Sequence, residues 1–223
     1  MEDKTTAVLL VAGNSTRYGK GRNKNLEEIH GKSILSYSLD VFSACPEISD
    51  VIMVIRPEDQ ENISSILRKD YSIKPIKLVY GGNTRMESVY HALEECHSNF
   101  VLIHDGARPY IQNRYVEECV QAMGEYHGAV VGVPSKDTIK IVNEAGEIVS
   151  STDRSFTWCS QTPQCFHLDT LLKAHEKYRG DSSVTDDSML LEREGYKVKM
   201  IRGDYQNIKV TTPEDYHTIC QYL

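Results

Sequence analysis

"TTAVLLVAGNSTRYGKGRNKN", residues 5–25, sets an apolar, β-rich run directly against a glycine and a string of small polar residues. The part TTAVLLVAG (5–13) reads as a buried parallel strand that ends on Gly13. The loop behind it places Arg17, Lys20, Arg22 and Lys24 within eight positions, with no acid among them. A strand that opens into a small-residue loop is the first half of a βα unit. The rest of the chain repeats that order.

Working outward, strand-like and helix-like segments alternate almost to the end. SILSYSLDVFSAC (33–45) spaces Ile34, Leu35, Leu39 and Phe42 for one helix face. DVIMVI (50–55) is the next apolar run, and Pro57 followed by EDQEN suits a helix first turn. IKLVYGG (76–82) reads as a strand and TRMESVYHALEECH (84–97) as an amphipathic helix with Thr84 at its N-cap. NFVLIHDGARP supplies a further buried strand, residues 113–127 a helix, and AVVGVPS another strand. The pattern predicts one α/β, Rossmann-like domain over 1–223, a mostly parallel twisted sheet with helices on both faces. One stretch departs from it: DTIKIVNEAGEIVSSTD (137–153) alternates on either side of NEAG and predicts a hairpin. It either lies on the monomer's edge or projects as an arm toward a second subunit.

Composition removes several classes of function. The formal net charge of −7 argues against nonspecific binding to nucleic acid or an anionic membrane, so an anionic ligand must be drawn in by a local basic patch. The six cysteines are scattered without a CxxC pair, which fits reduced thiols rather than a disulfide frame or structural zinc. No run reaches the ~20 apolar residues of a membrane span. A cytoplasmic protein is expected.

The chemistry-bearing residues cluster where strands end, which is where open α/β sheets bind ligands. The opening loop combines small residues with Arg and Lys, suited to phosphates, without the GK[ST] ending of a P-loop. In HDGARP (104–109), Asp105 ends a buried strand, a place from which one carboxylate holds a divalent cation beside nucleotide phosphates. Arg108 is placed to clamp a phosphate, though a capping Asp and a surface Arg are the plainer alternatives. His104 reads as a hydrogen-bonded scaffold residue. TDD (185–187) reads first as an N-cap with acids in the first turn, and NIKVTTPED (207–215) as a strand running into a helix at Pro213, with Lys209 interrupting the strand. Together these point to phosphoryl or nucleotidyl transfer assisted by Mg²⁺, chemistry that needs alignment and charge neutralisation more than a covalent nucleophile.

Seven stretches in register, VAGNSTRYG…NKN, GGNTRMESV, HDGARPY, KDTIK, QTPQCF, TDDSMLLE and NIKVTTPED, give the chain its resemblance to the 2-C-methyl-D-erythritol 4-phosphate cytidylyltransferase family. The resemblance implies the formation of CDP-methylerythritol and diphosphate from CTP and methylerythritol 4-phosphate, with Mg²⁺. It further implies that Arg17, Lys24 and Lys209 act on the phosphates. Val11, Ala12, Gly13, Gly82, Asn83 and Ser88 would surround the nucleotide, and Asp105 would hold the metal. Arg108, Thr138, Arg154, Thr162 and Thr185 would form the sugar-phosphate pocket, and the 137–153 arm would pair two subunits, so that Thr138 and Arg154 serve the partner's site.

The chain departs from the family pattern in three places. The family commonly has Pro-Lys-Gln where this chain has Asn23-Lys24-Asn25, Ala where it has Val11, and Ala where it has Gly106, the last expected to be harmless. Two other readings stand beside the first. One is ribitol-5-phosphate cytidylyltransferase, a similar enzyme with the same CTP machinery. The other is a nucleotide-binding regulatory protein without catalysis.

Overall fold

A computed structural model of the chain describes residues 4–13, 18–19, 23–71 and 74–223. In chain order the strands are β1 (Thr5–Leu10), β2 (Glu28–Ile29), β3 (Lys32–Ser33), β4 (Ile48–Ile55), β5 (Ile76–Tyr80), β6 (Phe100–Asp105), β7 (Gly128–Pro134), β8 (Lys140–Val142), β9 (Ile148–Ser151), β10 (Trp158–His167) and β11 (Val198–Arg202). The helices are α1 (Ile34–Ala44), α2 (Gln60–Asp70), α3 (Arg85–Leu93), α4 (Asn113–Ala122), α5 (Leu168–Lys177), α6 (Ser188–Arg193) and α7 (Pro213–Ile219). The main sheet has seven strands in the order β11-β7-β10-β6-β1-β4-β5. Only β10 runs antiparallel to its neighbours, β6 and β7.

Strand alternation divides the core between the two faces of this sheet. Ala7, Leu9, Val51, Met53 and Leu102 pack with Leu35, Leu39 and Phe42 of α1 and Tyr115 and Val116 of α4. Val8, Ile52, Val54, Val101 and Ile103 turn the other way, onto Val89 and Leu93 of α3, Leu171 of α5 and Leu190 and Leu191 of α6. Strands apolar on both faces are what a doubly covered parallel sheet requires. From β1 the chain builds outward through β4 and β5, then returns to lay β6 on the other side of β1. The strand order therefore reverses at the β1/β6 seam, where Leu10 stands opposite Asp105 in register. Such a switch point leaves a crevice at the carboxyl ends of the two strands.

Several boundaries differ from the sequence reading, each for a local reason. The segment at Pro57 opens as a 3₁₀ turn (Pro57–Asp59) that leads into α2. Thr84 caps α3 as expected, accepting the Glu87 N–H at 3.1 Å. The antiparallel β10, rich in polar residues through SQTPQ, has no apolar run to announce it. Residues 207–210 form no strand; the segment is a loop tied by side chains, and regular structure resumes at α7, where Thr212 and Asp215 form a capping box. The hairpin β8–β9 is present, pairs with no strand of the main sheet, and exposes every residue of both strands. Among the described residues no helix is long and apolar enough to cross a membrane.

Leu102 is fully buried at the centre of this packing. Leu102→Ala is expected to lower the unfolding free energy by about 2–5 kcal/mol, read from urea denaturation followed by circular dichroism. A loss below about 1 kcal/mol would contradict the central place given to this strand.

Candidate active site

The crevice at the β1/β6 seam is a cleft of about 270 Å³ lined by Leu10, Ala12, Gly13, Lys24, Asn25, Gly82, Asn83, Thr84, Arg85, Ser88, Asp105, Ala107 and Lys209. Asp105 is the one carboxylate in that lining. Its oxygens meet three cations: Lys209 Nζ at 2.7 Å, Arg85 Nε at 3.6 Å and Arg108 Nε at 4.0 Å. Burial by itself would push the Asp105 carboxyl up. The charges of Arg85, Lys209 and Arg108 outweigh it and hold the group well below the usual carboxylate range. Asp105 is therefore an anion at neutral pH, and Lys209, still 39% exposed, leans onto it from the cleft.

The backbone beneath Asp105 is fixed by a chain of hydrogen bonds. The Asp105 N–H donates to Thr162 Oγ1 at 3.1 Å, and Thr162 Oγ1 lies 2.9 Å from His104 Nδ1. The Arg108 carbonyl, 3.1 Å from His104 Nε2, can only accept, so Nε2 carries the proton and donates it. Nδ1 of the neutral ring then accepts a hydrogen bond from the threonine hydroxyl. Burial pushes the His104 imidazole down to about 4, which keeps it neutral and lets it play both parts. Thr162 does not line the cleft; it lies behind Asp105, where β10 shifts register between Ser160 and Gln164.

Lys209 is held by a loop stitched to the same turn. The Val210 N–H donates to the Ala107 carbonyl at 2.8 Å, and Arg108 Nη1 donates to the Asn207 carbonyl at 2.7 Å. The fully buried Asn207 side chain donates to Gln161 Oε1 and to the Thr162 carbonyl. On the opposite wall the Ser88 hydroxyl accepts the Gly82 N–H at 3.0 Å and donates to the Thr84 carbonyl at 2.8 Å, and the Asn83 N–H donates to Glu87. A Cβ on Gly81 would fall 2.6 Å from Ala12 Cβ, and one on Gly82 would fall 2.4 Å from Glu87 Cβ, so the glycine pair lets this loop close against α3 and β1.

Lys24, Lys209, Ala12, Gly13, Gly82, Asn83, Ser88 and Asp105 are thus brought to one cleft, with Arg108 against its carboxylate. Arg17 lies outside the described residues. Val11 is buried, and both its backbone groups are taken: its N–H by the Val54 carbonyl and its carbonyl by the Asn23 amide. Thr138 and Arg154 are exposed on the arm, and Thr185 is exposed ahead of α6; none of the three lines the cleft of this protomer. Val11 and Gly106, read separately in the sequence, lie against each other. A Cβ on Gly106 would meet Val11 Cγ1 and the Leu10 carbonyl, each at 3.0 Å, so both the valine and the strand's backbone crowd a side chain there.

The sequence reading missed Arg85 and Asp187. Asp187 stands at the N-cap of α6 without capping it. Its buried carboxylate instead forms an ion pair with Arg85, Oδ2 lying 2.8 Å from Nη1, and faces His175 Nε2 at 3.2 Å. Burial would lower the Arg85 guanidinium, but Asp187 and Asp105 together raise it. The available signal was the arginine inside GGNTRMESV, three residues before the serine that was singled out. A roomier cavity of about 700 Å³, lined in part by Tyr90, His91, His175 and Arg179, lies on the other side of Arg85. The cleft with Asp105 remains the place where three cations converge on the one carboxylate of the lining. Among the described residues no group of three or more His, Cys, Asp or Glu could hold a metal.

Comparison with known proteins agrees with this geometry. The family model for 2-C-methyl-D-erythritol 4-phosphate cytidylyltransferase matches residues 5–223. A protein of that name from Caldanaerobacter subterraneus subsp. tengcongensis is 44% identical, with 94% of each chain covered. One from Clostridioides difficile is 36% identical over 98% of this chain and 93% of its own. The crystal structure of 4-diphosphocytidyl-2C-methyl-D-erythritol synthase from Anaerococcus prevotii superposes with a TM-score of 0.88 at 32% identity, covering 99% of this chain and 98% of that one. The chain belongs to the 2-C-methyl-D-erythritol 4-phosphate cytidylyltransferase family.

Proposed function

We propose that this protein joins CTP to methylerythritol 4-phosphate, releasing diphosphate, and that it does so as a Mg²⁺-dependent homodimer in the cytoplasm. The observation that carries the reading is the isolated Asp105 carboxylate, ringed by Lys209, Arg85 and Arg108, in a cleft that also holds Lys24. An oxygen of the sugar 4-phosphate attacks the α-phosphorus, and the bond to the bridging oxygen of the diphosphate breaks. No protein nucleophile is required. The protein's task is to align two anions and neutralise the charge that grows on the leaving diphosphate.

Lys24 and Arg17 meet that charge. Ala12, Gly13, Gly82, Asn83 and Ser88 hold the base and ribose. Asp105 fits Mg²⁺ as a single hard oxygen donor, and the ion it would hold would supply neutralisation of phosphate charge. Lys209 exchanges its contact with Asp105 for the α-phosphate and the incoming phosphate, while Arg85 stays behind to keep Asp105 ionised. Arg108 and Thr185 border the sugar phosphate. Thr162 contributes through Asp105, whose N–H occupies its hydroxyl.

The arm supplies the argument for the dimer. Ile148 and Val149 are each 65% exposed and Phe156 84%, a density of uncovered apolar side chains that a second copy would bury. Pairing would also carry Thr138 and Arg154 from solvent into the partner's cleft.

Diphosphate release with CTP, Mg²⁺ and either methylerythritol 4-phosphate or ribitol 5-phosphate tests the reaction. Turnover with the first alone is expected. Turnover with ribitol 5-phosphate alone would reassign the sugar pocket, and none with either would overturn the proposal. Lys24→Ala is expected to lower kcat by about 10²-fold or more while the Kd for CTP changes by less than about fivefold, since its charge matters most in the transition state. Equal losses in both would remove that role. Ile148→Asp with Val149→Asp should give a folded monomer by sedimentation, with activity lost. A fully active monomer would rule out a shared site.

A further inference from the structure

Asn23 and Asn25, the residues flanking Lys24, are buried polar side chains, and the structure gives them a definite task. The segment Lys24–Leu26 is a single 3₁₀ turn of three residues, too short to hold its own direction. Asn23, buried beside it, has its side-chain amide saturated. Nδ2 donates to the Val11 carbonyl at 2.8 Å and to Asp59 Oδ2 at 2.7 Å. Oδ1 accepts from the Asn25 N–H at 3.1 Å and from Asn25 Nδ2 at 2.9 Å.

Asp59 is itself held from behind. Arg56 forks onto it, Nε to Oδ2 at 2.7 Å and Nη2 to Oδ1 at 3.0 Å. Bidentate, charge-assisted pairs of this kind fix both distance and plane. A continuous path therefore runs from the end of β4 through Arg56, Asp59 and Asn23 to the last carbonyl of the β1 exit. The backbone of Asn23 lies at φ −70°, ψ 112°, within the range a proline ring imposes.

We propose that Asn23 and Asp59 are positioning residues for Lys24: Asp59, fixed by Arg56, holds the Asn23 amide so that the three-residue turn presents Lys24 at one place in the cleft. The proposal rests on the reading of Lys24 as a cation on the triphosphate. A displacement of ~1 Å at such a group costs on the order of 10²-fold in rate, so a restraint on the turn acts on kcat more than on nucleotide binding.

The test is a coupling measurement on the full-length protein, with kcat from diphosphate release and the Kd for CTP from calorimetry. Asn23→Ala is expected to lower kcat by about tenfold or more with the Kd for CTP within about threefold of wild type. Asn23→Pro is expected to recover kcat to within about threefold, because the ring restores φ without the side chain. In a Lys24→Ala background, Asn23→Ala should cost nothing further, since no ammonium remains to be placed. A further tenfold loss in that background would mean general damage to the fold and would overturn the proposal. Wild-type kcat in Asn23→Ala, or no recovery with proline, would overturn it as well. Should Asn23→Ala fail to fold, Asp59→Asn keeps the shape of the path and is expected to lower kcat in the wild-type background and not in the Lys24→Ala one. Unchanged kcat in Lys24→Ala itself would remove the reading of Lys24 and the proposal with it. A loss there with none in Asn23→Ala removes the proposal alone.

Discussion

Everything in the cleft is arranged around one buried anion. Asp105 ends the central strand β6 at the seam where the strand order reverses, and three cations from three separate segments converge on it. A carboxylate there without partners would take up a proton, because burial favours the neutral form. With Arg85, Arg108 and Lys209 around it the group stays charged, and each cation is in turn held in place by it. Ligand binding then becomes an exchange of ionic partners rather than the creation of charge in a dry site. The neutral His104 and the Thr162 hydroxyl keep that exchange local, since they clamp the backbone on which Asp105 sits.

The parts of this arrangement that repeat along the chain were legible in the sequence. Apolar runs such as TTAVLL and FVLIHD carry the pattern of buried strands, and Thr84 and Pro213 carry the signature of helix starts. What could not be read were features that depend on contacts distant in sequence. Strand β10 is polar over SQTPQ, where Thr162 accepts the Asp105 N–H and Gln161 accepts from Asn207, so it lacks the hydrophobic pattern of a strand. Residues 207–210 resemble a strand by composition, yet Asn207 and Arg108 tie them into a loop. Asp187 carries the sequence signature of a cap and spends its carboxylate on Arg85 and His175 instead. In each case a long-range polar contact overrode a local preference.

Other contacts follow the same logic. Val11 and the Leu10 carbonyl crowd Gly106 at the β1/β6 seam, and the Asn23 side chain is tied to Asp59 and to the Val11 carbonyl. Neither contact is visible one position at a time. Thr138 and Arg154 are exposed and lie outside the cleft of the chain that carries them.

The most direct measurement is a crystal structure of the protein with CTP and Mg²⁺. The expected result is an Asp105 oxygen within ~2.1 Å of the metal, Arg85 still beside Asp105, and the Lys209 ammonium on phosphate oxygens. An Asp105 still paired to Lys209, with the metal held only by the nucleotide or by other residues, would contradict the exchange of partners on which the site is built.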